Sequence, residues 1–276
     1  MLGYHSYQRS HHATKYRELA LSPAPLPKKP KFKAVVLDCE MAETTHFKNK
    51  VILVCAVDYF TGAVLLEKLV NPSAPIRNWR ASIHGITNDT MRKAVMGKTA
   101  LSGWKEARAQ LWQLIDRDTI LVGHALQHDL DVLRMVHTRV VDSAILARNA
   151  VGMYSVQWGL PRLCEQLLGV HIRVNKGHIH DCLEDVMATR EVVLWCTSHG
   201  DEFAAWADAH RVELLEKEMA RKLNIGGKGK TRAVVEDYSD YEEEETSEEG
   251  YLCYEDFVMD YAGDFGWPQW YDPWSD

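Results

Sequence analysis

The sequence predicts an α/β domain on a mixed sheet. Apolar runs at 34–37, 51–60 and 63–70 come first and close together; beyond residue 101, short apolar runs alternate with segments of helical periodicity. Neighbouring strands joined by short connections pair antiparallel, and the later alternation adds strands through helical crossovers. A chain of 276 residues holds one sizeable domain with appendages.

The first run, Ala34-Val35-Val36-Leu37, ends in Asp38-Cys39-Glu40. The runs at 51–60 and 63–70 flank Thr61-Gly62, which predicts a tight hairpin. Residues 71–99 are loop-rich, with a short helix near 89–95. Between 101 and 115, Trp104, Ala107, Leu111, Leu114 and Ile115 recur at helical spacing. Residues 119–122 form a fourth strand, and Gly123-His124 leads into a helix marked by Leu126, Leu130 and Leu133. A strand near 139–141, helices at 143–149 and 160–168, and a long helix at 182–197 follow. A closing amphipathic helix spans 200–224, with Phe203, Trp206, His210, Leu214 and Met219 along one side.

The flanks have a different character. Residues 1–33 carry seven Lys/Arg against one Glu, and Pro23, Pro25, Pro27 and Pro30 forbid a helix. They read as a flexible basic lead, with order beginning at Ala34 and a first domain over 34–199. Residues 225–276 form a Gly/Lys linker and an acidic tail. From 233 onward the tail holds fifteen Asp/Glu, eleven aromatics and no Lys or Arg, although the whole chain carries only −7. Two occupants for such a tail stay open: the chain's own nucleic-acid groove, with acids mimicking phosphate, or a protein partner.

Composition excludes several classes. At 46% hydrophobic and 26% charged, the chain is neither wholly disordered nor fibrous. No apolar run approaches a membrane span, and the first twenty residues lack the apolar core of a secretory signal. Six cysteines without CxxC spacing suggest neither a zinc ribbon nor a disulfide framework. The expectation is a reduced intracellular protein, nuclear or cytoplasmic, with no membrane partner.

The chemistry is carried by carboxylates. Asp38 and Glu40 project from one face of a strand end, where paired negative charge is relieved by a cation, and oxygen ligands suit Mg²⁺ or Mn²⁺. A solvated strand end would read the same way. Asp129 falls near the start of its helix, beside the Leu126/Leu130/Leu133 stripe, where an acid also complements the helix dipole. His180 opens the long helix and Asp185 follows on its first turns. A histidine there can take a proton from water, and His178 is the rival for that role.

In this order and placement, Leu37-Asp38-Cys39-Glu40-Met41, Gly123-His124-Ala125-Leu126 through Asp129-Leu130, and His180 through Asp185 resemble the three motifs of the DEDDh 3′→5′ exonucleases of the DnaQ/RNase T superfamily. Asp-Cys-Glu-Met is most similar to their RNA exonuclease branch. Ser82-Ile83-His84-Gly85-Ile86-Thr87 resembles the family's substrate loop, and Val141-Asp142-Ser143 its strand end. Gln127-His128 and Ser143 depart from the usual His-Asn and Thr.

The resemblance covers roughly 34–199 and implies a ribonuclease H-like three-layer fold, a central mixed sheet flanked by helices. It implies two Mg²⁺ or Mn²⁺ ions held by Asp38, Glu40, Asp129 and Asp185, with His180 as general base. Met41, Ala42, His84, Gly85, Ile86, His124 and Leu126 would seat the terminal nucleotide. The implied partner is single-stranded nucleic acid, RNA before DNA, and the implied activity a 3′→5′ exoribonuclease in RNA processing or decay. A DNA exonuclease and a catalytically idle nucleic-acid-binding scaffold remain the alternatives.

Overall fold

A computed structural model describes residues 19–225, apart from 28, 47, 154, 155, 175 and 176. The start of the basic lead (1–18), the Gly/Lys linker and the acidic aromatic tail lie outside the described residues. Among the described residues no helix is long and apolar enough to cross a membrane.

The sheet forms around β2 (Ala34–Thr44). On one side β3 (Asn49–Asp58) and β4 (Val64–Asn71) continue it antiparallel; on the other β7 (Ile120–Gly123) and β9 (Val140–Asp142) run parallel to it. With β6 (Leu101–Ser102) beside β4, the order is β6-β4-β3-β2-β7-β9, and β5 (Ile76–Asn78) pairs with the end of β2. This is the mixed α/β sheet flanked by helices that the sequence predicts. The central strands are buried on both faces, which explains why 34–37 and 51–57 read as continuous apolar runs instead of alternating ones.

The β3–β4 turn is longer than a two-residue hairpin. Asp58 takes a hydrogen bond from the Thr61 hydroxyl at 2.6 Å, and its carbonyl accepts from Gly62, whose φ of 72° suits glycine. Order also begins earlier than Ala34. Two-residue β1 (Ala20–Leu21) pairs parallel with β8 (Met135–Val136), Ser22 bonds His137 at 2.8 Å, and Pro23 accepts from the Arg117 amide. Prolines bar a helix but leave carbonyls free, so an extended strap can dock on the body. Strands of two or three residues carry too little pattern to be read in advance.

The helices are α1 (Ala81–His84), α2 (Asn88–Met96), α3 (Gly103–Leu114), α4 (Gln127–Val132), α5 (Ser143–Val151), α6 (Leu160–Leu163), α7 (Cys182–Ser198) and α8 (Gly200–Ile225). The helix expected over 160–168 changes at Cys164 into a π-helical turn and stops at Gly169. Cys182 and Val186 of α7 pack with Val36, Cys55, Val57 and Val122 of the sheet, fixing which side of α7 faces β2. Helix α8 closes a second core: Trp158, 2% exposed, packs edge-on against Trp206 and His210. Arg211 donates to the carbonyls of Ala150 and Val151, satisfying the last turn of α5.

One buried acid joins the parallel strands to their helices. Asp142, at the end of β9, accepts from Ala144 and Ile145 at the start of α5, and from Ala125 and Leu126 before α4, at 2.7–3.2 Å. Replacing Asp142 with alanine strands these amides and should cost about 2–4 kcal/mol in a denaturant titration. Asp142→Asn, which keeps one acceptor oxygen, should lose less.

Candidate metal centre

The centre begins with the pleat of β2. Val36, Asp38 and Glu40 alternate onto one face, and Val36 packs under α7. Asp38 stands opposite Cys55 and Glu40 opposite Leu53, and the register with β3 shifts immediately after Glu40. A bulge there adds twist where the two carboxylates leave the core.

Helix α7 brings the next group. Asp181 caps its N-terminus, accepting from Leu183 at 3.0 Å and Glu184 at 3.3 Å. Asp185 lies one turn in, 3% exposed, on the side that Cys182 and Val186 press against the sheet. Cys182 Sγ also donates to the Asp38 carbonyl at 3.5 Å. The His180 amide donates to the Ile83 carbonyl at 2.7 Å, tying the loop before α7 to α1.

Asp129 comes from α4 and is 3% exposed, deeper than the margin position its helical spacing suggests. The turn before α4 explains the depth. Ala125 is left-handed, and a Cβ on Gly123 would lie 2.5 Å from Leu126 Cδ1, so only glycine lets the turn fold so tightly onto β7.

Ligand atoms of Glu40, His180 and Asp185 lie within 4.8 Å of one another, with His180 Nδ1 3.5 Å from Asp185 Oδ2. Asp38 and Asp129 fall outside this group but within its field. Burial, then the charge of Asp185, lifts Asp38 to about 7. Burial followed by Asp38 and Asp185 lifts Glu40 to about 9. Asp129 is pushed well above the usual range by burial and Asp38, against hydrogen bonding from the Cys39 backbone. Asp185 is raised by burial and held back by Arg173. His180 goes the other way, down to about 4, through burial, Arg173 and His84.

The residues fit a hard divalent cation. Glu40 Oε1 is buried with no hydrogen-bond partner among the described residues, and the surrounding donors are carboxylate oxygens with one imidazole. A buried carboxyl oxygen without a donor is costly, and a cation is what would satisfy it.

The residues expected to seat a nucleotide divide into two sets. Met41 and His124 are half-buried and Gly85 is exposed, while His84 Nδ1 accepts from the Ile86 amide. His124 Nδ1 meets the Ser143 hydroxyl at 2.8 Å. Ala42 and Leu126, in contrast, have 0% exposure, and Ile86 packs with Ala42, Ile52 and Met91. The side chains of Ala42 and Leu126 belong to the core. The apolar alternation that places them beside the motifs also turns them inward.

Two residues at the centre escaped sequence reasoning as participants. Arg173 turns in from an exposed strap and grips Asp185 with two hydrogen bonds of 3.1 Å, Nε to Oδ1 and Nη2 to Oδ2. Nothing in Ile172-Arg173-Val174 signals this. Asp142 could have been found, since an acid between a strand and a helix is a capping pattern. His178 is exposed, and its Nδ1 lies 3.2 Å from the Arg173 carbonyl.

The exonuclease family model RNase_T matches residues 35–193. Small RNA degrading nuclease 2 of Arabidopsis thaliana is 30% identical over 69% of this chain and 40% of its own length. RNA exonuclease 3 of Saccharomyces cerevisiae is 31% identical over 57% of this chain and 36% of its own. The chain thus spans about 40% or less of these relatives. Among solved structures, the Neurospora crassa Pan2 catalytic unit superposes on 70% of this chain and 31% of its own length, with a TM-score of 0.54 at 20% identity. A family match over more than half of the residues, on this sheet, shows that the chain belongs to the RNase T exonuclease family.

Proposed function

We propose that this chain is a metal-dependent 3′→5′ exoribonuclease, hydrolysing phosphodiester bonds from the 3′ end and releasing nucleoside 5′-monophosphates. The observation that carries the reading is the cluster of buried carboxylates with an unpartnered Glu40 oxygen beside His180. RNA is favoured over DNA because the curated relatives above are named as RNA nucleases. RNA processing or decay inside the cell is the setting those names suggest.

Asp38, Glu40 and Asp185 would hold one Mg²⁺ or Mn²⁺, and Asp38 with Asp129 a second. Bound there, such ions supply Lewis acidity and neutralise phosphate charge on both sides of the bond being broken. The chain's own groups do the rest. His180, held down to about 4, is neutral at neutral pH and can take the proton of the attacking water at a ring nitrogen. The bond from its amide to Ile83 fixes the loop that carries it. The exposed Gly85 backbone, with Met41 and His124, would line the seat of the terminal nucleotide. Because His180 also stands within ligand reach of Glu40 and Asp185, a second role as metal ligand is the competing assignment.

The full chain with Mn²⁺ should shorten 5′-labelled single-stranded RNA from its 3′ end, and DNA more slowly. Asp38→Ala or EDTA should abolish the ladder, and absence of cleavage on both substrates would overturn the reading. His180→Ala should lower turnover by on the order of 10²–10⁴-fold while Mn²⁺ binding persists. Lost Mn²⁺ binding would make His180 a ligand, and full activity would exclude it as base.

The raised carboxyls also fix a sign. Above about pH 7 the carboxyls of an unfolded chain are ionised. Asp38 and Glu40, at about 7 and about 9, then bind more protons folded than unfolded, so metal-free stability falls as pH rises. The melting temperature in EDTA should drop between about pH 7 and 9, less steeply in Glu40→Gln. Mn²⁺ should bind more tightly over the same window, with proton release visible by calorimetry in buffers of different ionisation enthalpy.

A further inference from the structure

Arg173 holds an unusual position for a basic side chain. Ile172 before it is half-buried against the second core and Val174 after it is exposed, while its own side chain is 9% exposed and enters the carboxylate cluster. Its backbone is left-handed, with φ 58°, a strained conformation for a residue bearing a Cβ. The strap is held in this shape at its own residue: the Arg173 amide donates to Glu184 Oε2 at 3.0 Å, and the His178 ring meets its carbonyl. The two oxygens of Asp185 are both occupied by the guanidinium, and Oδ2 is also the atom 3.5 Å from His180. The charge reaches further than its hydrogen bonds, lowering the carboxyls of Asp38 and Glu40 as well as Asp185.

A cation held in this way does what a metal ion would do, neutralising Asp185 and drawing the neighbouring anions together. It also repels a second cation approaching the same oxygens. Resting on the reading of Asp185 as a metal ligand, we propose that Arg173 is the resident counter-cation of the metal-free centre and competes with the divalent ion for Asp185. The ion then binds fully only as the guanidinium withdraws. The backbone of Arg173 is held by Glu184 and His178, so a rotation of the long side chain alone frees both Asp185 oxygens.

A purely supporting arginine would orient Asp185 for the metal, and its loss would weaken binding. Competition predicts the opposite sign. Mn²⁺ binding to the full chain, followed by electron paramagnetic resonance of the free ion at fixed pH and salt, should tighten by on the order of tenfold in Arg173→Gln. The same variant should melt lower than wild type in EDTA and show a larger upward shift on saturation with Mn²⁺. Arg173→Lys keeps the charge but not the planar fork, so it should fold and show a smaller gain in affinity. Unchanged or weakened Mn²⁺ binding in either variant overturns the proposal. Asp185→Asn separates this failure from a deeper one. If it binds Mn²⁺ as well as wild type, the assignment of Asp185 as a ligand fails; if it loses binding while Arg173→Gln gains nothing, only the role of Arg173 fails.

Discussion

The structure turns on the cost of holding several carboxylates together away from water. Asp129, Asp185 and Glu40 are nearly inaccessible, and Asp38 lies between them, sharing its field with each. Like charges in a poorly solvated place repel, and burial penalises each ion separately. Such a cluster persists only where packing elsewhere holds its backbone. It is held by β2, central in the sheet, by α7 pressed on the same face through Cys182 and Val186, and by the tight turn into α4.

The supports are local and chemically distinct. Asp142 ties the α4 and α5 entrances to one strand end, so Asp129 is placed by an acid that is itself fully hydrogen-bonded. Asp181 does the same for α7, leaving Asp185 one turn inside a well-capped helix. The contrast is instructive: carboxylates at 142 and 181 are satisfied by amides and build the frame, whereas Glu40 keeps an oxygen with no donor among the described residues.

The parts legible in the sequence are those set by periodicity over several residues. Three grouped apolar runs gave the antiparallel half of the sheet, and i,i+2 spacing placed Asp38 and Glu40 on one face before any coordinates. Strands of two residues, such as β1 and β8, lie below that threshold because tertiary pairing alone makes them. The inward turn of Ala42 and Leu126 was hidden for another reason: motif position says which residues are near a site, but burial depends on what packs behind them. Arg173 was invisible because a single basic residue in a loop has no period, and its meaning comes only from Asp185, twelve positions away.

The direction of the charge imbalance links the frame to the chemistry. In the metal-free centre the carboxyls relieve their repulsion by holding protons and by sharing one guanidinium, so the resting site is neutralised from within. Every proton held there must leave before an oxygen can act as a ligand, and each departure increases the repulsion that a cation then relieves. His180 is affected oppositely: Arg173 and His84, together with burial, keep it uncharged when the acids are still partly protonated. One environment thus raises the acids and lowers the imidazole. This division between four acids and one imidazole follows from burying them close to one another.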